Sequence, residues 1–417
     1  MKKIILLLLG VTLLCNCTKE EACKRIESDG EFPIMAWIGV PEAETSVERF
    51  KELKESGINI NFSGYSNIEA AEKALDVAKE VGVKLMVSCP ELMSEPEKTA
   101  KLFMTHPALK GYHLRDEPCA TDFPALGEWV RRIQSVDKEH DCYINLLPTY
   151  ANVEQLLGKD VVLEDGEDPY EKHVELFLKE VPAPFISFDH YPVIEDNGTR
   201  TLRQDWYKNL EIIAATSKES GLPFWAFSLA IAHKPYPIPT VAEIRLQMYS
   251  NLAYGAQTLQ YFTYWHPGDN TIWDFHDSPI NLDGTRSEVY DRIKVVNQEI
   301  HSLSGVFLGS KLVSVWHAGD QIPLGTRPLG ELPNQINSLE IADGGALVSL
   351  LQKSERYFLV MVNRDFREPM TFSIKTDETV GKVSKDATVT PVGNNAEKME
   401  VAPGDIAIFT WKPTNAR

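Results

Sequence analysis

Short continuous apolar runs alternate with amphipathic stretches along most of this chain. Eight strand-like runs begin near Pro33 (IMAWIGV), Ile58 (ININ), Val83 (KLMVSC), Gly111 (YHLRDEP), Asp141 (CYINLLP), Pro184 (FISFDHYP), Leu222 (PFWAFSLA) and Gln257 (TLQYFTYW). Their starts lie 25 to 43 residues apart, which leaves room for a crossover helix each time. The helical stretches are legible from their apolar period. Thr45 to Ser56 places Val47, Phe50 and Leu53 on one face and ends at Gly57. Ser66-Asn67-Ile68-Glu69 has capping-box spacing; Ala70, Ala71, Ala74, Leu75 and Ala78 follow, with Gly82 as the stop. Further helices fit Asp122 to Val136, Tyr170 to Glu180, Arg203 to Ser217, Val241 to Tyr254 and Ser287 to Leu303. Eightfold alternation of strand and helix predicts a (β/α)8 TIM barrel over residues 31–304. An open doubly wound sheet is the alternative, but no Gly-x-Gly-x-x-Gly or Walker-type loop follows any strand.

After Leu303 the texture changes. Leu312 to His317, Ala346 to Leu351, Tyr357 to Asn363, Met370 to Ile374 and Ile406 to Trp411 alternate as strands between Gly, Asn, Asp and Pro clusters. They predict a small all-β sandwich over 305–417. At the other end, Lys2 and Lys3 precede an apolar run from Ile4 to Leu14 that closes in Cys15-Asn16-Cys17. This has the layout of a bacterial lipoprotein signal peptide over 1–17, with Cys17 the preferred lipid acceptor and Cys15 the second choice. Residues 18–30 then read as a polar tether to a lipid anchor in the bacterial envelope. An ordinary secretory peptide is the simpler alternative.

The net charge of −18 argues against nucleic acid and against an anionic membrane surface as partners. Of six cysteines, Cys89, Cys119 and Cys142 lie in the body, and no Cys-x-x-Cys occurs. Cys89 and Cys119 follow neighbouring strands, so they are either a disulfide bracing the rim or two separate thiols.

The fourth run carries the clearest chemistry. It stops at Asp116-Glu117-Pro118. Proline cannot continue a hydrogen-bonded ladder, so this acid pair sits at a rigid strand end, where acid/base chemistry needs it. The simpler reading is that both acids open a loop and pair with Arg115. In a barrel the C-terminal strand ends carry the site. Walking them gives Cys89-Pro90-Glu91, Asp116-Glu117, Asn145 to Tyr150, Asp189-His190-Tyr191, Ser228 with His233, and Tyr261, Tyr264, Trp265 and His266. Asp269, Trp273, Asp274 and Asp277 lie beyond. Aromatic faces beside carboxylates suit sugars, whose C–H faces stack on rings while their hydroxyls bond to acids. Tyr261 and Phe262 alternate along a strand, so one of them belongs to the core.

An Asp-Glu-Pro that ends the fourth of eight strands resembles the clan A (β/α)8 glycoside hydrolases, which carry an Asn-Glu-Pro there. Pro239 to Gln247, Leu252 to Ala256, Tyr261 to Trp265 and Asn281 to Thr285 resemble bacterial glycosidases related to families 42 and 5. Tyr357 to Asn363 and Ala402-Pro403-Gly404-Asp405 resemble their C-terminal β-sandwich. The resemblance implies O-glycosidic hydrolysis of an oligo- or polysaccharide with Glu117 as acid/base and no metal or cofactor. Two departures stand out. Asp116 replaces the usual Asn. The strand-seven nucleophile is missing too: Phe224 to Ala232 contains no acid. Asp189 on strand six is therefore the first candidate for the second catalytic carboxylate, followed by Glu243 and Asp274. Glu243 could instead cap its helix or pair with an arginine. Asp116, His113, His190, Tyr191, Tyr264, Trp265, Glu243 and Asp274 are the expected substrate-binding residues. A non-catalytic glycan-binding lipoprotein on a degenerate barrel is the alternative, favoured by the missing acid.

Overall fold

A computed structural model describes residues 24–159, 161, 163–269, 271–393 and 396–413. The expected signal peptide, the lipid acceptor Cys17 and the first part of the tether lie outside the described residues.

Eight parallel strands close into a barrel. They are β1 (Ile34–Trp37), β2 (Ile60–Gly64), β3 (Lys84–Ser88), β4 (Leu109–Asp116), β5 (Asp141–Leu146), β6 (Ile186–Phe188), β7 (Phe224–Leu229) and β8 (Thr258–Phe262). Each coincides with one of the eight apolar runs. β8 pairs back onto β1 with Leu259 opposite Ile34 and Phe262 opposite Trp37, which closes the ring. The pleat sorts side chains by parity. Ile34, Ala36, Leu85, Val87 and Tyr112 face outward into the large core beneath the helices. Met35, Trp37, Met86, Tyr143, Trp225 and Phe227 fill the barrel interior as a separate core.

The helices are α1 (Val47–Glu55), α2 (Ile68–Val81), α3 (Pro90–Ser94), α4 (Pro96–Phe103), α5 (Phe123–Gln134), α6 (Val153–Leu157), α7 (Pro169–Glu180), α8 (Trp206–Ser220), α9 (Val241–Ala253) and α10 (Glu288–Ser302). The cap of α2 sits one residue later than the spacing predicts. Asn67 accepts from the Ala70 N–H, while the Ser66 N–H and hydroxyl both donate to Glu42. With Ser66 occupied, the equally good N-cap residue next to it takes over. Gly82 ends α2 at φ 75°, a left-handed turn that suits glycine. The short helices α3 and α4 escape a periodicity reading; each begins with a proline at its first position.

The C-terminal region packs a seven-stranded antiparallel sheet against a three-stranded one. All five expected strands are present. Four more, Ile336–Asp343, Gly381–Val383, Thr388–Pro391 and Glu397–Val401, are short or lie largely at the surface. The sheet gains an edge strand from the expected tether: Lys24–Arg25 pairs with Thr388 and Val389, and the Ile26 N–H donates to Ala387 O at 2.8 Å. Ile26 is buried, so the chain is tied down from Lys24 onward rather than hanging free to Gly30. The sandwich is bolted to α9 and α10. Glu299 receives Arg245 through two bonds, at 3.1 and 2.5 Å, and Lys385 at 2.6 Å, and Lys385 also reaches Asp405 at 2.6 Å. Gly404, at φ 66°, lies directly against the Ala242 carbonyl oxygen, where a Cβ has no space.

Candidate active site

A cavity of about 420 Å³ opens at the C-terminal ends of the barrel strands. Its floor and one wall are polar: Asp116 and Glu117 from the end of β4, Asn145 from β5 and Asp189 just after β6. Trp37, Phe227, Phe262 and Phe275 form the facing wall, and Tyr150, Tyr191, Tyr236, His233 and Trp273 surround the mouth. Among the described residues, no lysine or arginine lines it.

The turn out of β4 holds Glu117 in an unusual backbone state. Its φ is 44°, in the left-handed region, and its N–H donates to Asn145 O at 2.9 Å. A non-glycine residue occupies that region at a cost of about 1 kcal/mol or more, and such strain gathers at functional sites. Below, a hydrogen-bonded chain runs through the barrel interior. Tyr143 Oη donates to Gln260 Oε1 at 2.7 Å, Gln260 Nε2 donates to Ser187 Oγ at 3.0 Å, and Ser187 Oγ donates to Asn145 Oδ1 at 2.9 Å. With its oxygen so engaged, the Asn145 amide must aim Nδ2 at the acids. It donates to Asp189 Oδ1 at 2.8 Å and to Asp116 Oδ1 at 3.3 Å.

Glu117 and Asp189 act on each other as a hydrogen-bonded pair in which Asp189 keeps the proton and Glu117 accepts, which raises Asp189 and acts to lower Glu117. Asp189 is 5% exposed. Asp116 and Glu117 are exposed at the cavity, although protein atoms crowd around both carboxyls. Burial, then the charge of Glu117, pushes the Asp116 carboxyl up to about 7. Burial raises Glu117 as well. Burial and the neighbouring Glu117 and Asp116 charges hold Asp189 well above the usual carboxylate range. All three carboxyls are thus shifted toward their protonated forms, the direction a general acid needs. A directly paired Glu117 and Asp189 is not the across-the-ring arrangement of glycosidase acids, which stand roughly 5 Å apart in covalent and roughly 6.5–9.5 Å apart in water-using enzymes.

The expected site residues divide. Asp116, Glu117, Asp189 and Tyr191 line the cavity together. His190 packs beside it, buried, with Nε2 3.4 Å from Asp205 and its ring 4.9 Å from Tyr150. His113 lies deeper, among Phe62, Trp37 and Tyr143, and burial lowers it to about 3, so it stays neutral. Tyr264 and Trp265 are buried off the cavity, next to Tyr290 and under Arg49 respectively. Glu243 completes the cap of α9 with Thr240 and pairs with Arg200 at 3.0 Å, the structural role weighed for it from sequence. Asp274 accepts from the Lys234 N–H at the surface, next to Trp273 but not on the cavity wall. Trp37, Phe227, Phe262, Tyr236 and Phe275 were not foreseen as site residues. Strand parity was the available signal: Trp37 and Phe227 point into the lumen at strand ends, and Tyr261 is the core partner, bonded to Asn297, while Phe262 faces the cavity. Cys89, Cys119 and Cys142 are all free thiols.

No family model and no curated protein matches this chain. Its fold does have relatives among solved structures. A catalytic mutant of Gan42B, a GH42 β-galactosidase from G. stearothermophilus, is matched with a TM-score of 0.57 over 94% of this chain and 100% of that one, at 9% identity. An α-L-arabinofuranosidase from Thermotoga maritima is matched with a TM-score of 0.50 over 94% and 98%, also at 9% identity. A β-galactosidase from the psychrophilic Marinomonas ef1 is matched over 66% of this chain and only 60% of that one, at 11% identity and a TM-score of 0.46; so partial a likeness carries no argument. The fold is a TIM barrel with an added sandwich, and its structural neighbours are GH42 β-galactosidases and other clan A glycosidases, as the Asp-Glu-Pro ending implies. At these identities the likeness is one of fold. The neighbours' names already span two sugars, so the fold does not choose the substrate.

Proposed function

We propose that this protein is a glycoside hydrolase in which Glu117 protonates the leaving glycosidic oxygen. The observation that carries the reading is the proton-sharing contact of Glu117 with Asp189 inside an aromatic-walled cavity at the strand ends. Asp189 supplies the shared proton to Glu117, which delivers it to the glycosidic oxygen; Asn145 fixes Asp189 and Asp116, and Tyr191 with the aromatic wall receives the sugar faces. Release of sugar from a broad panel of glycosides and oligosaccharides by the purified protein tests this. Turnover on at least one member is the expected result. Binding without any release would instead favour a glycan-binding protein on a degenerate barrel, a reading supported by the lack of a carboxylate across from Glu117.

The protein is further proposed to be exported and lipid-anchored at Cys17 in a bacterial envelope, at the periplasmic or cell-surface face of the outer membrane. The support is the Lys2-Lys3, apolar-run and Cys17 pattern. Labelled fatty acid should enter the wild-type protein in cells and not the Cys17→Ala variant.

A further inference from the structure

The chemistry around Glu117 comes from one side only. Among the described residues, the carboxylates lining the cavity are Asp116, Glu117 and Asp189, gathered on the ends of β4 and β6. The facing wall is Trp37, Phe227, Phe262 and Phe275, and β7 supplies no acid anywhere from Phe224 to Ala232. A covalent route needs an enzyme nucleophile across the sugar ring from the acid, and direct displacement needs a base there to hold water. No carboxylate stands on that wall among the described residues; the polar groups there are His233, packed against Trp273 and Phe275, and Tyr236, whose Oη accepts from Arg203 Nη2 at 3.1 Å. Tyr150 and Tyr191 do not substitute, because burial first of all holds both phenols far above their ordinary range and so un-ionised. With no carboxylate opposite Glu117, a nucleophile carried by the substrate fills the gap.

We infer that the substrate is a 1,2-trans-linked 2-acetamido-2-deoxy glycoside whose own acetamido oxygen displaces the leaving group that Glu117 protonates. This deepens the glycosidase reading and rests on it. In the first step the amide oxygen forms a bond to the anomeric carbon as the glycosidic C–O bond breaks. The Glu117 proton passes to the departing oxygen, and a bicyclic oxazolinium remains. In the second step water adds to the anomeric carbon and gives a proton to the Glu117 carboxylate, and the ring reopens to the acetamide. The two remaining acids divide the work. Asp189 is occupied by Asn145 at 2.8 Å and by Glu117, so it tunes the proton donor. Asp116 has only the longer 3.3 Å bond from Asn145, which leaves lone pairs to accept from the amide N–H as the oxazolinium forms. The absence of lysine and arginine from the cavity lining suits an uncharged sugar.

The test compares 4-nitrophenyl 2-acetamido-2-deoxy-β-D-glucoside and -galactoside with their 2-hydroxy counterparts, all on the wild-type protein. The acetamido sugars should be cleaved at least roughly 100-fold faster, the advantage of an intramolecular nucleophile. Trifluoroacetamido analogues should be slowed by roughly tenfold or more, because fluorine weakens the attacking oxygen. Equal rates on 2-hydroxy glycosides, or indifference to fluorination, overturn this inference and leave the glycosidase reading standing. No release from either series or from the wider glycoside panel, with sugar binding intact, overturns both.

Discussion

Two clusters of carboxylates in this molecule are built in opposite ways. At the barrel–sandwich junction, Glu299 and Asp405 face Arg245 and Lys385. Burial acts to raise Glu299, but the hydrogen bonds from Arg245 and Lys385 outweigh it and pull the carboxyl below its ordinary range. At the strand ends, Asp116, Glu117 and Asp189 have an amide, each other and no lining cation, and all three are pushed up. Acids placed for stability are matched with cations. Acids left unmatched in a cavity cost stability, and their retained protons are available for chemistry.

The comparison can be broken at either cluster. The largest expected effect is on chemistry: Glu117→Gln should lower kcat/KM by roughly a thousandfold, measured on whichever glycoside the panel identifies, with no loss of melting temperature. At the junction the sign reverses. Glu299→Ala should cost about 2–3 kcal/mol in denaturant unfolding, because it strands Arg245 and Lys385 without their partner. Gly404→Ala should cost about 1–2 kcal/mol in the same assay, since its methyl group meets the Ala242 carbonyl and φ 66° disfavours any Cβ. The smallest effect is at Asp116. A carboxyl raised to about 7 binds a proton more tightly folded than unfolded, so its contribution is fully present below about pH 4 and is lost as pH rises to about 7. Asp116→Asn removes that penalty. It should stabilise the protein by about 1 kcal/mol at neutral pH, a figure discounted for the residue's access to solvent, and flatten the decline between pH 4 and 7.

How much of this was legible in the sequence follows from what each feature depends on. The barrel strands are apolar on both faces and punctuated by glycine and proline, so all eight stand out as runs. Glu117 is legible because Pro118 marks where its strand must stop. Asn145 and the Tyr143–Gln260–Ser187 chain beneath it are not, because their meaning depends on which parity faces the lumen and on neighbours far apart in sequence. The same limit hid Trp37 and Phe227, whose place in a strand does not say that a cavity lies against them. Glu243 shows the converse: Thr240 three residues earlier announces a cap, and a cap is what it is. Tyr264 and Trp265 lie one step past the rim, where the chain has already turned under Arg49.

Infrared difference spectroscopy of wild type against Glu117→Gln reads out whether the acids at the strand ends share a proton at neutral pH. A carbonyl band of an un-ionised carboxylic acid is expected in the wild type, altered or lost in the variant. A wild-type spectrum with no such band, every carboxyl ionised, would rule the shared proton out.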